Sequence, residues 1–227
     1  MKVLFIVLIL LLSFTTKAQQ LAYSDPAAAY NRILLEKGAG NYLQIGNYKV
    51  MGTQYVYGGS LDTDLYAEGN TEPKKVKASY DTYKKKLDVV ITNSSKTMEI
   101  NNVDSFILYN PNEMADKYIN CKYIQPNLNG YITVVSVAPK CTLYKYYETT
   151  LATPTDNYIN AELRVFQLDY TYYYKVNGSK DLIKLNLAYK NLQKQLKEHV
   201  DVAGTVDRET YNQNYEDGLK RIMFAYK

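Results

Sequence analysis

Hydrophobic side chains recur at every second position between residues 42 and 176, in short segments that Gly, Asn, Asp and Pro separate. Because successive side chains of a strand point to opposite faces of a sheet, this spacing predicts β-strands with one buried face. The alternation is clearest between residues 166 and 176. Strands are predicted at 43–50, 53–57, 76–83, 87–92, 96–101, 105–109, 131–137, 143–148 and 163–176.

The hydrophobic spacing changes to every third or fourth residue after a turn at 177–179. This period predicts one helix over about 182–196, with Ser179 available as its N-cap. A second helix is predicted over about 207–226, after a break that contains Gly204. The chain therefore ends in a predicted pair of helices.

A short helix is also predicted ahead of the strands, because Pro26 follows Ser24 and Asp25 and because Gly38 ends the apolar stripe. The predicted fold class is α+β: a mostly antiparallel β-rich body, a short N-terminal helix and a C-terminal pair of helices. A single domain is expected, composed of a helical segment at 19–41, the β-rich body at 42–178 and the helices at 179–227.

The first 18 residues have the three parts of a secretory signal peptide. Lys2 precedes an unbroken apolar run over 3–12, and the small residues Thr16 and Ala18 precede a predicted cleavage site at Gln19. The run is shorter than the roughly 20 residues that a membrane-spanning helix needs, so cleavage is expected and no transmembrane segment is predicted. The expected location is the periplasm, the cell surface or the extracellular medium.

Removal of that segment leaves 25 basic and 23 acidic residues, which is close to neutral. A nucleic-acid-binding protein usually has a large basic excess on one face, so nucleic acid is not expected as a partner. Lysines are nevertheless dense around two tyrosines in the predicted hairpin at 76–90. They indicate either a solvated outer face or a surface for an anionic envelope polymer, and they are Lys74, Lys75, Lys77, Lys84, Lys85 and Lys86.

Few residues offer catalytic chemistry. His199 is the single histidine of the chain, and its place near a predicted helix end favours a structural role. Asp62, Asp64 and Glu68 are candidate Ca²⁺ ligands, but their spacing does not match an EF-hand, so a solvated acidic loop over 61–72 is favoured. No nucleophile elbow, phosphate-binding loop or zinc-protease motif occurs, and no cofactor is predicted.

Tyrosine dominates the aromatic residues, with 25 copies against five Phe and no Trp. A cluster near the end of the last predicted strand is the candidate ligand-binding site, because exposed tyrosines can contact a sugar ring or an extended peptide. Packing beneath the C-terminal helices is the alternative explanation for three of its four members. The cluster consists of Tyr170, Tyr172, Tyr173 and Tyr174.

Cys121 and Cys141 are the two cysteines, and after export they would meet an oxidising environment. A disulfide between them is predicted, since closing a loop of about 20 residues stabilises a fold by roughly 3 kcal/mol in the chain-entropy model. Two independent buried thiols are the alternative.

Several features occur together in this sequence. They are the segment Thr16-Lys17-Ala18-Gln19-Gln20, the segment Gly52-Thr53-Gln54-Tyr55, the hairpin at 76–90 and a Lys-rich helical tail. In their order along the chain they resemble uncharacterised exported envelope proteins of the Bacteroidota. The resemblance implies a periplasmic or surface location and no assigned activity.

Three functions are compatible with the sequence. The leading hypothesis is a non-enzymatic envelope protein that binds or scaffolds a polymer or a protein through its sheet. A hydrolase that uses two carboxylates on a glycan is the first alternative. A small-molecule carrier, with its strands closed into a barrel around a cavity, is the second.

Overall fold

The computed structural model describes residues 43–91, 96–100, 103–110, 114–153 and 163–227. Within these ranges, twelve strands form one sheet and four short helices follow it. The strands are β1 (Leu43–Ile45), β2 (Tyr48–Met51), β3 (Leu61–Ala67), β4 (Lys74–Asp81), β5 (Lys86–Val90), β6 (Thr97–Ile100), β7 (Val103–Tyr109), β8 (Ala115–Asn120), β9 (Tyr131–Val137), β10 (Cys141–Ala152), β11 (Leu163–Val176) and β12 (Ile183–Lys184). The helices are α1 (Tyr189–Leu196), α2 (Val202–Thr205), α3 (Arg208–Gln213) and α4 (Tyr215–Phe224).

The strand order is β1-β2-β11-β10-β9-β8-β7-β3-β4-β5-β6, with β12 also paired to β11. Each pair of neighbours is antiparallel except β2 and β11, which are parallel. The predicted β-rich, mostly antiparallel body is therefore confirmed. The predicted signal peptide and N-terminal helix lie outside the described residues.

Two strand predictions and one loop prediction need correction. The segment 43–50 is a hairpin rather than one strand, because Gly46 adopts a positive φ of 57° in a tight turn. The segment 53–57 is not a strand and meets the sheet through a single bridge between Tyr55 and Asp81. The segment 61–72 is not a loop, since its first seven residues form β3.

The C-terminal region consists of more and shorter elements than the two helices that its hydrophobic period predicted. Ile183 pairs with Tyr174 of β11, so β12 extends the sheet where a helix was expected. One side-chain cap then marks the start of the second predicted helix, and another divides it. Asp207 accepts a hydrogen bond from the Thr210 amide at 2.9 Å, and Asn214 caps α4 in the same way, so each begins a new short helix.

The sheet curls until β4 lies against β9. The Tyr131 amide donates a hydrogen bond of 3.0 Å to the Tyr80 hydroxyl, which donates in turn to the Tyr131 carbonyl oxygen at 3.4 Å. The Tyr80 ring packs edge-on against Phe106, Tyr118 and Tyr131. These rings fill the interior of the curl with fully buried side chains.

The turn between β4 and β5 fastens the curl to β10. The hydroxyls of Thr82 and Thr149 lie 2.6 Å apart, and the Lys85 ammonium donates to the Tyr147 carbonyl oxygen at 2.9 Å. Asp81 holds the turn itself, because one of its oxygens accepts hydrogen bonds from two successive backbone amides. The predicted hairpin around Asp81 and Thr82 is confirmed.

A second core lies where the helices cover one face of β10 and β11. Leu143 and Tyr174 from the strands pack with Leu192, Leu219 and Ile222 from the helices, and all five are buried. The opposite face of the same strands contributes to a smaller cluster. The strands β10 and β11 therefore lie between two packed layers.

The contact at Gly130 generates the first prediction. Its φ is +79°, and an added Cβ would lie 2.7 Å from the Tyr80 hydroxyl oxygen and 2.9 Å from the Lys85 Cβ. Gly178 is a matched control, because its φ is +81° but no atom lies within 4 Å of an added Cβ. Gly178→Ala should cost about 1 kcal/mol of unfolding free energy, and Gly130→Ala should cost about 1–3 kcal/mol more. Urea unfolding of both variants measures the difference, and equal losses would show that Gly130 is not crowded.

Candidate functional site: a charged groove on the outer face of the sheet

A groove of about 740 Å³ lies on the outer face of the curl, the face that points away from Tyr80. Alternation along the strands places Asp62 and Asp64 of β3 on this face, opposite Lys77 and Lys75 of β4. The volume is in the range of ligand-binding sites in proteins, roughly 300–1,000 Å³. The residues that line it are Asp62, Thr63, Asp64, Lys74, Lys75, Val76, Lys77, Val90, Ile91 and Tyr109.

Two polar contacts cross the groove. The Lys77 ammonium lies 2.9 Å from Asp62 Oδ1, and the Tyr109 hydroxyl donates to Asp64 Oδ2 at 2.7 Å. The hydrogen bond to Asp64 is the main reason why the pKa of Tyr109 is raised above its ordinary value. Both aspartates are thereby oriented toward the groove.

Lys74 and Lys75 differ from Lys77. Both are exposed, and none of the ion pairs within the described ranges involves either of them. The ammonium groups of both lysines, at one rim of the groove, are therefore available to an anionic ligand. Because they are exposed, removing part of their hydration costs little free energy.

Apolar side chains form the other part of the groove. Ile91 is 43% exposed and Tyr109 is 39% exposed, and Val90 of β5 lines the groove with them. The groove runs across β7, β3, β4 and β5, and three inter-strand spacings correspond to about 14 Å. Its dimensions suit a short stretch of a polymer that crosses the strands.

The three predicted metal ligands do not converge. Asp62 pairs with Lys77, Asp64 accepts from Tyr109, and Glu68 pairs with Lys122 at 3.2 Å. No group of three or more metal-ligating side chains occurs in the part of the chain that the structure describes. Asp62 and Asp64 lie in β3, Glu68 directly follows that strand, and each of the three carboxylates contacts a different residue.

The lysines of the turn also have defined partners. Lys84 and Lys86 both pair with Glu99 of β6, at 2.9 and 2.8 Å, and these hydrogen bonds lower the pKa of Glu99 to about 2. Lys85 lies over the Tyr146 ring at 4.5 Å. The six lysines lie close together in the sequence, but within the described ranges only Lys74 and Lys75 of that group have no ion-pair, carbonyl or ring partner.

The tyrosine cluster is mainly a packing feature. Tyr172 and Tyr174 are buried beneath the helices and Tyr170 packs beside them, as the alternative explanation of this cluster predicted. Tyr173 points to the opposite face and packs with the smaller cluster. The four side chains therefore do not form an exposed ladder.

The same tyrosines surround a buried lysine that sequence analysis did not identify. The Lys145 ammonium lies 4.3 Å from the centroid of the Tyr170 ring, and the rings of Tyr147 and Tyr172 are 4.9 and 5.4 Å away. Glu216 of α4 lies 3.5 Å from that ammonium and accepts a hydrogen bond of 2.8 Å from Tyr172. Lys145 is only 7% exposed, so this cluster attaches α4 to the sheet and leaves little access for a ligand.

The predicted disulfide is absent, because both cysteines are free and buried. Cys141 shares a face of β10 with Leu143 and packs under the helices, whereas Cys121 packs with Tyr144 and Tyr146 on the opposite face. A disulfide needs facing Cβ atoms about 3.5–4.5 Å apart, and side chains on opposite faces of a sheet do not meet that requirement.

His199 follows α1 and stacks on the Tyr226 ring, with centroids 4.8 Å apart. Its backbone carbonyl accepts a hydrogen bond from the amide of Lys227. These contacts agree with the structural role that its position near a helix end predicted.

Comparisons with family models, curated proteins and solved structures found no match to this chain. Among the described residues, no helix combines the length and the apolar character that crossing a membrane requires. The likeness to exported Bacteroidota proteins stays a prediction.

The two thiols provide the second prediction. Burial raises the pKa of both Cys121 and Cys141 to about 11, so few thiolates exist at pH 8. The native protein should therefore react slowly with a thiol reagent at pH 8, and the urea-unfolded protein should add two labels per chain without a reductant. A labelled mass that reaches two only after reduction would demonstrate the disulfide instead.

The Lys145 cluster provides the third prediction. Lys145→Ala removes the buried partner of Glu216, which keeps Lys220 at 3.1 Å, and should cost about 1–3 kcal/mol of unfolding free energy. Lys77→Ala removes an exposed ion pair and should cost less than about 1 kcal/mol. Urea unfolding measures both losses. Equal losses of unfolding free energy in the two variants would show that the tyrosine rings around Lys145 do not add to its contribution to stability.

Glu216 also makes this contribution depend on pH. Desolvation acts to raise its pKa, but Lys145, Tyr172 and Lys220 together outweigh that effect and lower it. A carboxyl with a lowered folded pKa stabilises the fold at neutral pH and loses that contribution as the pH falls through its folded pKa. When the pH is lowered from neutral into the acidic range, the free energy of unfolding of Lys145→Ala should therefore fall by less than that of the parent protein.

Proposed function

We propose that this protein is an exported, non-enzymatic envelope protein that binds an anionic polymer in the outer groove. The observation that carries the proposal is the pair of unengaged, exposed lysines, Lys74 and Lys75, at the rim of a groove with an apolar part. The predicted signal peptide supports the location, and the density of lysines in the hairpin at 76–90 supports the sign of the ligand.

The distribution of charge supports a local site. The chain without residues 1–18 is nearly neutral, so long-range attraction to polyanions is weak. Lys84 and Lys86 pair with Glu99 and Lys85 donates to the Tyr147 carbonyl oxygen, so Lys74 and Lys75 of β4 are left without an ion-pair partner among the described residues. Binding should therefore be selective for the groove and should weaken as salt screens the lysines.

A second candidate function has its own observation. Asp62 and Asp64 both line the groove and are two positions apart on β3, which corresponds to about 7 Å along the strand. Carboxylate separations of about 6.5–9.5 Å occur in inverting glycosidases. We favour binding over hydrolysis because Asp62 is 75% exposed at its side chain and in an ion pair, whereas a catalytic acid needs an environment that keeps its proton.

The groove lysines give the fourth prediction. Lys74→Glu/Lys75→Glu should weaken binding to an anionic polymer by about tenfold or more, equivalent to about 1.4 kcal/mol. Lys190→Glu/Lys194→Glu on α1 makes the same change in net charge at exposed positions outside the groove, and should leave the affinity within about threefold.

The measurement uses protein recovered outside the cytoplasm, whose mass should match a chain that begins at Gln19. Its affinity for polygalacturonate, dextran sulfate and inorganic polyphosphate is measured by calorimetry at two salt concentrations. Equal losses in the two double variants, or no binding to any of the three polymers, would contradict the proposal. Shortened polygalacturonate after incubation, abolished in Asp62→Asn or Asp64→Asn, would establish the hydrolase instead.

A further inference from the structure

We infer that the ligand of the outer groove is an acidic polysaccharide, whose acidic groups pair with Lys74 and Lys75 while its hydroxyls donate to Asp62 and Asp64. This inference rests on the proposed function, because it specifies the polymer that the same groove takes. It is carried by the juxtaposition of Lys75 and Lys77 with Asp64 and Asp62 on one face of two adjacent strands, with Lys74 at the end of β4 lining the same groove.

The aspartates determine what the ligand must offer. An ionised carboxylate accepts hydrogen bonds and donates none. Asp62 uses Oδ1 for Lys77 and Asp64 uses Oδ2 for Tyr109, and the other oxygen of each accepts no hydrogen bond from the described residues. A ligand that fills the groove therefore needs donors at these two points.

Sugar hydroxyls are such donors, and the spacing suits a chain of sugars. Asp62 and Asp64 lie about 7 Å apart along β3. Lys75 is the direct cross-strand neighbour of Asp64, with a Cβ separation of about 4.5–5.5 Å. Side chains whose Cβ atoms are this close can contact the same sugar unit, so Lys75 and Asp64 select a ligand in which an acidic group and a hydroxyl are close together, as they are on an acidic sugar.

The exposed apolar surfaces fit the same ligand. Tyr109 and Ile91 line the groove on either side of the charged positions. The face of an aromatic ring packs against the apolar face of a sugar ring, while the sugar hydroxyls point to polar groups around it. A polymer without rings would leave these two surfaces in water.

A polyanion that has no hydroxyl donors is disfavoured at this site. Each of its charges would approach two carboxylates while it reached for the lysines, and juxtaposed like charges reduce affinity. Asp62 and Asp64 would therefore discriminate between an acidic polysaccharide and a simple polyanion such as polyphosphate. This preference is measured as the ratio of two affinities. A variant that binds both polymers equally more weakly would therefore leave the ratio unchanged.

The fifth prediction follows from that ratio. The parent protein should bind polygalacturonate at least about tenfold more tightly than inorganic polyphosphate of matched charge. Asp62→Asn/Asp64→Asn removes the two acceptor charges, relieves repulsion of polyphosphate and should reduce this preference by about tenfold. Asp169→Asn/Asp181→Asn makes the same change in net charge at exposed positions outside the groove and should leave the ratio unchanged.

Calorimetric titration of the three proteins with the two polymers gives the ratios, and thermal unfolding shows that each variant is folded. Polyphosphate binding as tight as polygalacturonate binding in the parent protein would overturn the inference and leave the proposed function standing. An unchanged ratio in Asp62→Asn/Asp64→Asn would also overturn it. No binding to either polymer, or to dextran sulfate, would overturn the proposed function together with it.

Discussion

The hydrogen-bonded contact between Tyr80 and the backbone of Tyr131 is the constraint on which the rest of the molecule depends. A sheet of this length with one apolar face has to shield that face from water. Here the sheet curls so that the apolar face encloses its own aromatic rings. The phenol suits this position because its ring fills the interior while its hydroxyl both accepts from and donates to β9. Gly130 permits the approach, and the outer groove exists because the curl leaves a charged face on its outside.

The strands β10 and β11 join the curl to the helical layer. They pair over twelve successive positions, from Cys141 with Val176 to Ala152 with Val165. Tyr170 of β11 packs against both cores, and Lys145 lies beside it with its charge offset by Glu216 from α4. A buried lysine is costly without such partners, and the three rings and the carboxylate supply them at the boundary between the two cores.

Sequence reasoning identified the elements whose local pattern agrees with their final environment. The strands β9 and β11 begin and end where their alternation predicted, because one or both of their faces are buried. The strand β3 was missed because its outward positions are aspartates, which are more typical of loops, although Leu61, Thr63 and Leu65 alternate with them. Asp207 and Asn214 are residue types that often cap helices. The continuous hydrophobic stripe over 207–226 nevertheless predicted a single uninterrupted helix.

The groove was harder to predict because it depends on pairing between distant segments. Its acids and lysines were singled out separately, and only the register of β3 against β4 brings them onto one face. The disulfide prediction failed for a related reason: chain separation gave the size of the loop but not the face of the sheet on which each cysteine lies. The aromatic environment of Lys145 also needs three-dimensional information, since its partner Glu216 is 71 residues away.

The parallel pairing of β2 with β11 has a consequence for how the molecule is assembled. Lys49 is the partner of Leu163, so β2 finds its place only after 114 further residues are available. Pairing over such distances raises contact order, and folding rates fall as contact order rises. The hairpin of β1 and β2 therefore cannot take its place beside β11 until that strand has been synthesised, so this edge of the sheet is completed late.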